Sequence, residues 1–282
     1  MTTASFAEAV RVFLKWHRHE HRESSTRRLV YSLAAIAEHL GEETPLAQIQ
    51  PRDVEGFKAA RAAAGIKPIT IRHDLHALSG LVKYARVLGL VDHDPMAGIK
   101  IPSDRYAVRI HPLSAQEENT YMKAAAGTLK AVAVLMLGTG IRPGEALALS
   151  VADVDLSNQT LHIRDGKTPA ARRSIRLVGE AWRVASNHAG PARRGSQWLL
   201  ADRHPVHALV ELSKEHRRVC DRAGLRFCLY DLRHTFATRM AERGMPLTTL
   251  ASILGHSSLR CVTRYVHPGQ STMNEAMERF AS

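Results

Sequence analysis

The stretch at residues 138–164, GTGIRPGEALALSVADVDLSNQTLHIR, is where this sequence changes its hydrophobic period. Up to Leu137 the apolar residues follow helical spacing, and Gly138 and Gly140 interrupt that pattern. A short helix is predicted at residues 143–149, where a proline occupies the first helical position. The alternating pattern that follows predicts three strands of a small antiparallel sheet, at residues 151–156, 160–164 and 174–177.

Helical patterns precede and follow this predicted sheet. Before it, a capping box of Ser114 with Glu117 predicts one helix that continues to Gly138. After it, helical spacing is predicted to persist to the end of the chain, at residues 180–189, 205–223, 231–244, 246–254, 259–266 and 272–280. The sequence therefore predicts a mainly helical α+β domain over residues 113–282.

The first hundred residues predict four helices. Ser5 with Glu8 forms another capping box at the start of the first helix. The other three helices are predicted from residue 24 or 25 to 41, from 51 to 65, and from 68 to the residue before Gly89. Residues 92–112 contain three prolines and one glycine and lack a sustained apolar period, which indicates a linker. We predict domains at residues 1–91 and 113–282, joined by the linker 92–112.

The charge of the chain favours a polyanionic partner. Its 282 residues include 39 Lys and Arg against 27 Asp and Glu, a formal net charge of +12. Binding of a polyanion is favourable because neutralised phosphates release their condensed counterions. A generally basic surface is the alternative interpretation of the same excess.

The cysteines and the hydropathy indicate a cytoplasmic protein. Three cysteines without C-x-x-C spacing argue against a disulfide framework or a zinc site, and they fit a reducing compartment. Charges throughout the N-terminal apolar stretch make a poor signal peptide. The longest mostly apolar run, residues 131–137, is too short to cross a bilayer. We therefore predict no membrane association and no metal site.

Three short strings contain residues that suit phosphate chemistry. GTGIRPGE at residues 138–145 contains Arg142, YDLRH at residues 230–234 contains Arg233, and LGH at residues 254–256 ends in His256. Tyr265 follows nine residues after that histidine. The glycines do not form a phosphate-binding P-loop, since no G-K-[ST] follows at the required spacing. Taken singly, each string is more typical of a turn, a cap or a core position.

Together, the order and spacing of these strings resemble the tyrosine recombinase (phage integrase) family, over essentially the whole chain. The resemblance implies a four-helix, SAM-like core-binding domain followed by a catalytic domain. It implies that Arg142 and Arg233 hold the scissile phosphate, that His256 contacts the same phosphate, and that Tyr265 is the nucleophile. It also implies a covalent 3′-phosphotyrosine intermediate that needs neither metal nor nucleotide cofactor.

Further positions are assigned by the same resemblance. Lys167, on the loop between the second and third predicted strands, matches the lysine that protonates the departing 5′ oxygen, and Glu145 matches a supporting acidic residue. Tyr230 departs from the family, which usually has histidine there. A phenol donates a hydrogen bond to phosphate, but it is a much weaker base than imidazole near neutral pH. His234 is expected to pack or cap, because neighbours on a helix point about 100° from Arg233.

The residue types themselves fit this chemistry. Attack on a phosphodiester concentrates negative charge on the non-bridging oxygens, which guanidinium forks and an imidazole donor match well. Each such donor lowers a barrier by roughly 3 to 4 kcal/mol in comparable enzymes. Such a set can therefore do what other enzymes assign to a metal ion. Tyrosine, with an ordinary pKa of about 10, also needs a base or cationic surroundings.

We therefore expect a site-specific recombinase whose two domains clamp double-stranded DNA. The resemblance also implies a homotetramer in the synaptic complex, reached through a tail helix at residues 272–280, and we expect a monomer off DNA. Two alternatives share parts of the pattern: a type IB topoisomerase, and a DNA-binding protein without catalysis. The expected contacts to the DNA backbone are Arg27, Arg28, Arg72, Lys83, Arg172 and Arg173.

Overall fold

The computed structural model describes residues 4–21, 23–103, 110–164, 169–190, 197–201 and 204–265. Over these residues the chain is mostly helical with one three-stranded antiparallel sheet, which confirms the predicted fold class. The chain divides into two compact units, Met1–Arg109 and Ile110–Ser282, and each has its own apolar core. Within the described ranges, every helix is too short or too polar to cross a membrane.

The first unit contains the four predicted helices. They are α1 (Phe6–Glu20), α2 (Glu23–Leu40), α3 (Pro51–Ala63) and α4 (Pro68–Val87). The capping box starts α1, since the Glu8 backbone N donates to Ser5 Oγ at 3.3 Å and the Ser5 N donates to Glu8 Oε2 at 3.0 Å. Proline starts α3 and α4, because its fixed φ suits a position whose N–H has no helical acceptor.

Much of the predicted linker packs against this first unit. Ile99 and Ile101 contact its apolar core, and the His93 ring bonds to the Ile49 carbonyl oxygen at 2.7 Å. Arg72 Nη1 donates to the Pro102 carbonyl at 3.1 Å. Residues 104–109 lie outside the described part of the chain. The segment up to residue 102 is therefore an ordered extension of the first unit rather than a free spacer.

The second unit is built around one mainly apolar helix, most of whose residues are buried. Its helices are α5 (Ala115–Ala124), α6 (Gly127–Thr139), α7 (Pro143–Ala148), α8 (Gly179–Ala189), α9 (Pro205–Ala223), α10 (Asp231–Glu242) and α11 (Leu247–Leu254). The central helix is α6, which packs against α7, α8, α9 and α10.

The prediction of one continuous helix up to Gly138 is wrong. Ala125 and Ala126 are extended and Gly127 has φ +53°, so the chain turns between α5 and α6. Alanine favours helix by local propensity, but the left-handed backbone of Gly127 and the burial of most of α6 against neighbouring helices override it.

The sheet has the order β1-β2-β3, with β1 (Val154–Asp155), β2 (Thr160–Ile163) and β3 (Arg173–Arg176). Leu161 pairs with Val154 on one side and with Ile175 on the other, which places apolar side chains on one face. The first strand is shorter than predicted, because residues 151–153 form a 3₁₀ turn. Ser150 N and Oγ both donate to Asp153 Oδ2 at 2.8 Å, and this cap competes with extended backbone.

The prediction of a helix at residues 259–266 is also wrong. The structure has two 3₁₀ turns there, Leu259–Cys261 and Thr263–Tyr265. Val262 lies between them with φ −101° and is fully buried. Val262 and Tyr265 are both buried in one apolar cluster with residues of α10 and α11. The predicted tail helix at residues 272–280 lies outside the described residues.

Candidate active site

A glycine turn positions Arg142 at the start of α7. Gly140 ends α6 with φ +68°, and a Cβ there would lie 2.7 Å from Leu254 Cδ2 and closer still to the Phe236 ring. Glycine is therefore required both for the backbone conformation and for the space. Arg142 follows as the residue that caps α7, with Pro143 at the first helical position.

Glu145 joins two arginines beneath this turn. Its Oε1 accepts from Arg142 Nη1 at 2.6 Å, and its Oε2 accepts from the Arg142 backbone N at 2.9 Å and from Arg173 Nη2 at 2.8 Å. Burial alone would raise the pKa of Glu145, but Arg173 and Arg142 lower it below its ordinary value. The carboxylate is therefore charged at neutral pH, and its hydrogen bonds hold Arg142 in place.

Arg173 corrects one sequence prediction. Its side chain is only 6% exposed, and it forms an ion pair with Glu145. Its Nε donates to the Ile253 carbonyl at 2.5 Å and its Nη1 to the Ala171 carbonyl at 2.8 Å. The expected contact of Arg173 with DNA is wrong, because all three of its nitrogens are engaged with protein acceptors.

Arg233 is fully buried at the centre of the site. Its Nη1 donates to the Gly140 carbonyl and its Nη2 to the Leu254 carbonyl, both at 2.7 Å. Among the residues that the structure describes, no acceptor bonds to its Nε. Burial, followed by the nearby positive charge of Arg142, lowers the pKa of Arg233 to about 10. The guanidinium remains charged at neutral pH.

His256 contacts Arg233 directly. Gly255, with φ +66°, ends α11, and a Cβ there would lie 2.8 Å from Arg173 Nη1. The Nε2 of His256 lies 2.9 Å from Arg233 Nη2 and must accept, since guanidinium cannot. Burial and the charge of Arg233 lower the pKa of His256 to about 4, so the neutral ring carries its proton on Nδ1. That buried Nδ1 bonds to no acceptor within the described ranges.

The site also contains two tyrosines, Tyr230 directly before α10 and Tyr265 in a 3₁₀ turn. The Cζ of Arg233 lies 5.7 Å from the centroid of the Tyr230 ring, and Tyr230 helps Glu145 to raise the pKa of Arg142 against the effect of burial. Tyr265 is 4% exposed. Burial raises the pKa of Tyr265, although Arg233 opposes that shift. The phenol is therefore protonated at neutral pH.

His234 is the residue that sequence reasoning missed. Its Nδ1 lies 2.8 Å from the hydroxyl of Tyr265, and its ring centroid lies 5.1 Å from that of Tyr230. The side chain is buried, as expected, but it also contacts the predicted nucleophile. The available signal was the spacing of Tyr230 and His234, since residues four apart share one face of a helix.

The other predicted residues are described each within its own unit, where the described ranges include them. Lys167 falls outside them. Arg27, Arg28, Lys83 and Arg172 are exposed on the surface of their units. Arg28 Nη1 bonds to His73 Nε2 at 3.0 Å, and Arg27 Nη2 lies 3.9 Å from Glu23 Oε1. Contacts of the exposed residues with DNA stay predictions.

Comparisons with known proteins agree on one family. The sequence profile of the phage integrase family matches residues 112–271. The tyrosine recombinase XerC of Mesorhizobium japonicum is 28% identical over 274 residues, covering 89% of this chain and 84% of that protein. The XerC of Brucella suis is 27% identical over 275 residues, covering 89% and 83%.

Solved structures share the fold. The Tn1549 transposon integrase in complex with a circular intermediate DNA gives a TM-score of 0.76 at 18% identity, covering 96% of this chain and 99% of that one. A lambda integrase tetramer bound to a Holliday junction gives 0.75 at 18% identity, covering 90% and 78%. With the profile matching more than half of its length, the chain belongs to the tyrosine recombinase (phage integrase) family.

Proposed function

We propose that this chain is a site-specific DNA recombinase that cleaves and rejoins duplex DNA through a covalent 3′-phosphotyrosine intermediate on Tyr265. One observation carries the proposal. Arg233 Nε and His256 Nδ1 are buried donors on two side chains that bond to each other through Nη2 and Nε2, and no described residue accepts from either donor. Buried donors are nearly always satisfied. The non-bridging oxygens of a phosphate would satisfy both.

The charges of the cluster favour an anion rather than a neutral ligand. Arg142 and Arg233 are both positive at neutral pH, while Glu145 is shared between Arg142 and Arg173. His256 adds a neutral donor. Donors of this kind each lower a barrier by roughly 3 to 4 kcal/mol when charge develops in front of them. The three together supply the stabilisation that a metal ion gives in other enzymes, so we propose catalysis without metal.

The reaction proceeds by exchange of one phosphodiester for another. The Tyr265 oxygen attacks phosphorus, and the bond to the 5′ oxygen breaks. We propose that Lys167, which lies between β2 and β3 in the sequence, protonates this leaving oxygen, because an alkoxide needs a proton at neutral pH. The phosphotyrosine bond keeps the energy of the original linkage, so rejoining needs no ATP.

Duplex DNA is the proposed partner. The net charge of +12 supports it, as do the DNA complexes of the transposon and lambda integrases that share this fold. We propose that Arg27, Arg28, Arg72, Lys83 and Arg172 meet the phosphate backbone. The lambda integrase tetramer on a Holliday junction supports a homotetramer in the synaptic complex. We further propose that the chain is a monomer off DNA.

Covalent trapping tests this function. The protein is incubated with a random-sequence library of duplexes, each nicked so that a cleaved strand diffuses away, in EDTA and without ATP. We expect a DNA adduct that survives denaturation, and sequencing of the trapped strands would give the target site. The Tyr265→Phe variant should give none. A protein that is folded and binds DNA yet forms no adduct on any duplex would contradict the proposal.

A second assay separates recombination from DNA relaxation. Two copies of the trapped site are placed on one supercoiled plasmid. A recombinase gives exchanged products from the paired sites. Relaxation without exchanged products would instead assign the type IB topoisomerase activity.

A further inference from the structure

The site needs a group that removes the proton from the Tyr265 phenol. Burial holds that phenol in its protonated form, and Arg142 and Arg233 are cations that cannot accept a proton. His256 accepts a hydrogen bond from Arg233 through Nε2, so its only unshared ring nitrogen is already protonated. Tyr230 is itself a phenol. Among the described groups of the site, one imidazole remains that can accept this proton.

That imidazole is His234, and its geometry suits the task. The Nδ1 atom lies 2.8 Å from the Tyr265 hydroxyl, within the range needed for proton transfer. The ring is 6% exposed and lies between those of Tyr230 and Tyr265, with centroids at 5.1 and 5.6 Å. It is held there by the helix that carries Arg233, one residue away. Proton acceptor and phosphate-binding group therefore share one rigid element.

We infer that His234 is the catalytic base of this chain, accepting the proton of Tyr265 as its oxygen attacks the phosphodiester. This inference rests on the proposed function. The O–H bond of Tyr265 breaks, its proton goes to His234 Nδ1, and the oxygen forms the new bond to phosphorus. The electron pair of the broken P–O bond leaves with the 5′ oxygen. On rejoining, the imidazolium of His234 returns the proton to Tyr265.

The surroundings of His234 keep it able to accept. Burial lowers the pKa of His234, and Arg264 and Arg233 lower it further, whereas Asp231 raises it. Tyr265, which faces it, is protonated at neutral pH because burial raises its pKa. The ring is therefore neutral at pH 7, and the carboxylate of Asp231 stabilises the imidazolium that forms during attack.

A role in packing alone predicts different behaviour, and the chain contains a matched comparison. In the same unit His216 Nδ1 lies 2.9 Å from the hydroxyl of Tyr121, and both side chains are buried. This pair has the same chemistry without Arg142 or Arg233 beside it. Substitution of His216 reports what loss of a buried His–Tyr hydrogen bond does to folding.

The experiment compares His234→Asn with His216→Asn. Asparagine places an acceptor near the position of Nδ1, so the hydrogen bond to tyrosine is kept, but it takes up no proton near neutrality. The rate of adduct formation is measured in single turnover on the trapped duplex between pH 5 and 8, with DNA binding measured in parallel. We expect His234→Asn to bind DNA like the parent and to form adduct about 10² to 10⁴ times more slowly.

The pH profile separates a base from a packing residue. The parent rate should fall as pH drops and His234 becomes protonated, whereas His234→Asn should lose that acid-side fall and His216→Asn should keep it. A His234→Asn rate within a few fold of the parent, or a slower rate with the parental pH profile, would overturn the inference. A parent that forms no adduct at all would instead contradict the proposed function itself.

Discussion

The side chains of Arg173 and Arg233 both lie inside the second unit, but the protein compensates the charge of Arg173 more fully than that of Arg233. Every nitrogen of Arg173 donates to a protein acceptor, and the carboxylate of Glu145 pairs with its charge. Arg233 donates to two backbone carbonyls and to His256, while its Nε bonds to nothing in the described part of the chain.

The difference indicates which arginine serves the fold and which serves a ligand. A buried charge is costly unless a countercharge or full hydrogen bonding compensates it. Arg173 has that compensation and ties β3 to Glu145 at the start of α7. Arg233 lacks a direct ion pair in the described ranges, and burial lowers its pKa to about 10. We interpret this cost as preparation of Arg233 for an anionic phosphate.

The largest expected effect comes from replacing the guanidinium group of Arg233. Arg233→Lys keeps a positive charge but loses the planar pair of donors. We expect adduct formation on the trapped duplex to slow by about 10² to 10³, or roughly 3 to 4 kcal/mol of barrier. The matched control is Arg173→Lys at equal folded fraction. If Arg233→Lys stays within threefold of the parent, the contrast between the two arginines is wrong.

Arg173 is expected to affect stability instead. Arg173→Met removes one of the two arginines that neutralise the buried Glu145 carboxylate. We expect the free energy of unfolding in urea to fall by about 3 kcal/mol, at the low end for a broken buried pair because Arg142 still contacts Glu145. The double variant with Glu145→Gln should lose less than the sum of the single losses. Additive losses would show that Arg173 and Glu145 do not act as a pair.

Acid pH should lower the stability of the protein through His256, whose ring bonds to Arg233, the less fully compensated of the two arginines. The pKa of His256 falls from 6.5 to about 4 on folding, through burial and then the charges of Arg233 and Arg142. The unfolded chain therefore binds more protons between these pH values, so stability falls as pH drops through that window. The melting temperature of His256→Asn should fall less than that of the parent between pH 6.5 and 4. Parallel curves would contradict the assigned burial of His256 beside the arginines.

The smallest effect is expected at Arg172, which is exposed although it is adjacent to Arg173. Arg172→Ala should leave the melting temperature unchanged. If Arg172 meets one phosphate, the slope of log affinity for DNA against log salt should become shallower by about 0.9. An unchanged slope would contradict the proposed contact of Arg172 with the DNA backbone.

Local signals predicted most of the helices of this fold. The caps at Ser5 and Ser114, and the prolines that start α3, α4 and α9, are visible in the sequence, and the helices begin at or directly after them. Long-range burial was not visible. Three alanines before Gly127 favour a continuous helix locally, whereas the burial of most of α6 depends on helices that are distant in the sequence.

The candidate site shows the same division. The motifs predicted Arg142, Glu145, Arg233 and His256, and the structure brings these residues together. Gly140 and Gly255, which end the helices before Arg142 and His256, are visible in the same motifs. Two roles depended on distant partners. Arg173 is buried by contacts to Glu145 and Ile253. His234 meets Tyr265 across 31 positions of the chain. Neither contact could be inferred from local spacing, although the spacing of Tyr230 and His234 did place these two side chains on one face of a helix.

The most direct test of the account is the chemical identity of the protein–DNA link. The adduct formed on the trapped duplex is digested with nuclease and trypsin, and the modified peptide is sequenced by mass spectrometry. We predict a nucleotide joined through its 3′ phosphate to the oxygen of Tyr265. Attachment to another residue, or through a 5′ phosphate, would contradict the arrangement of donors and nucleophile described above.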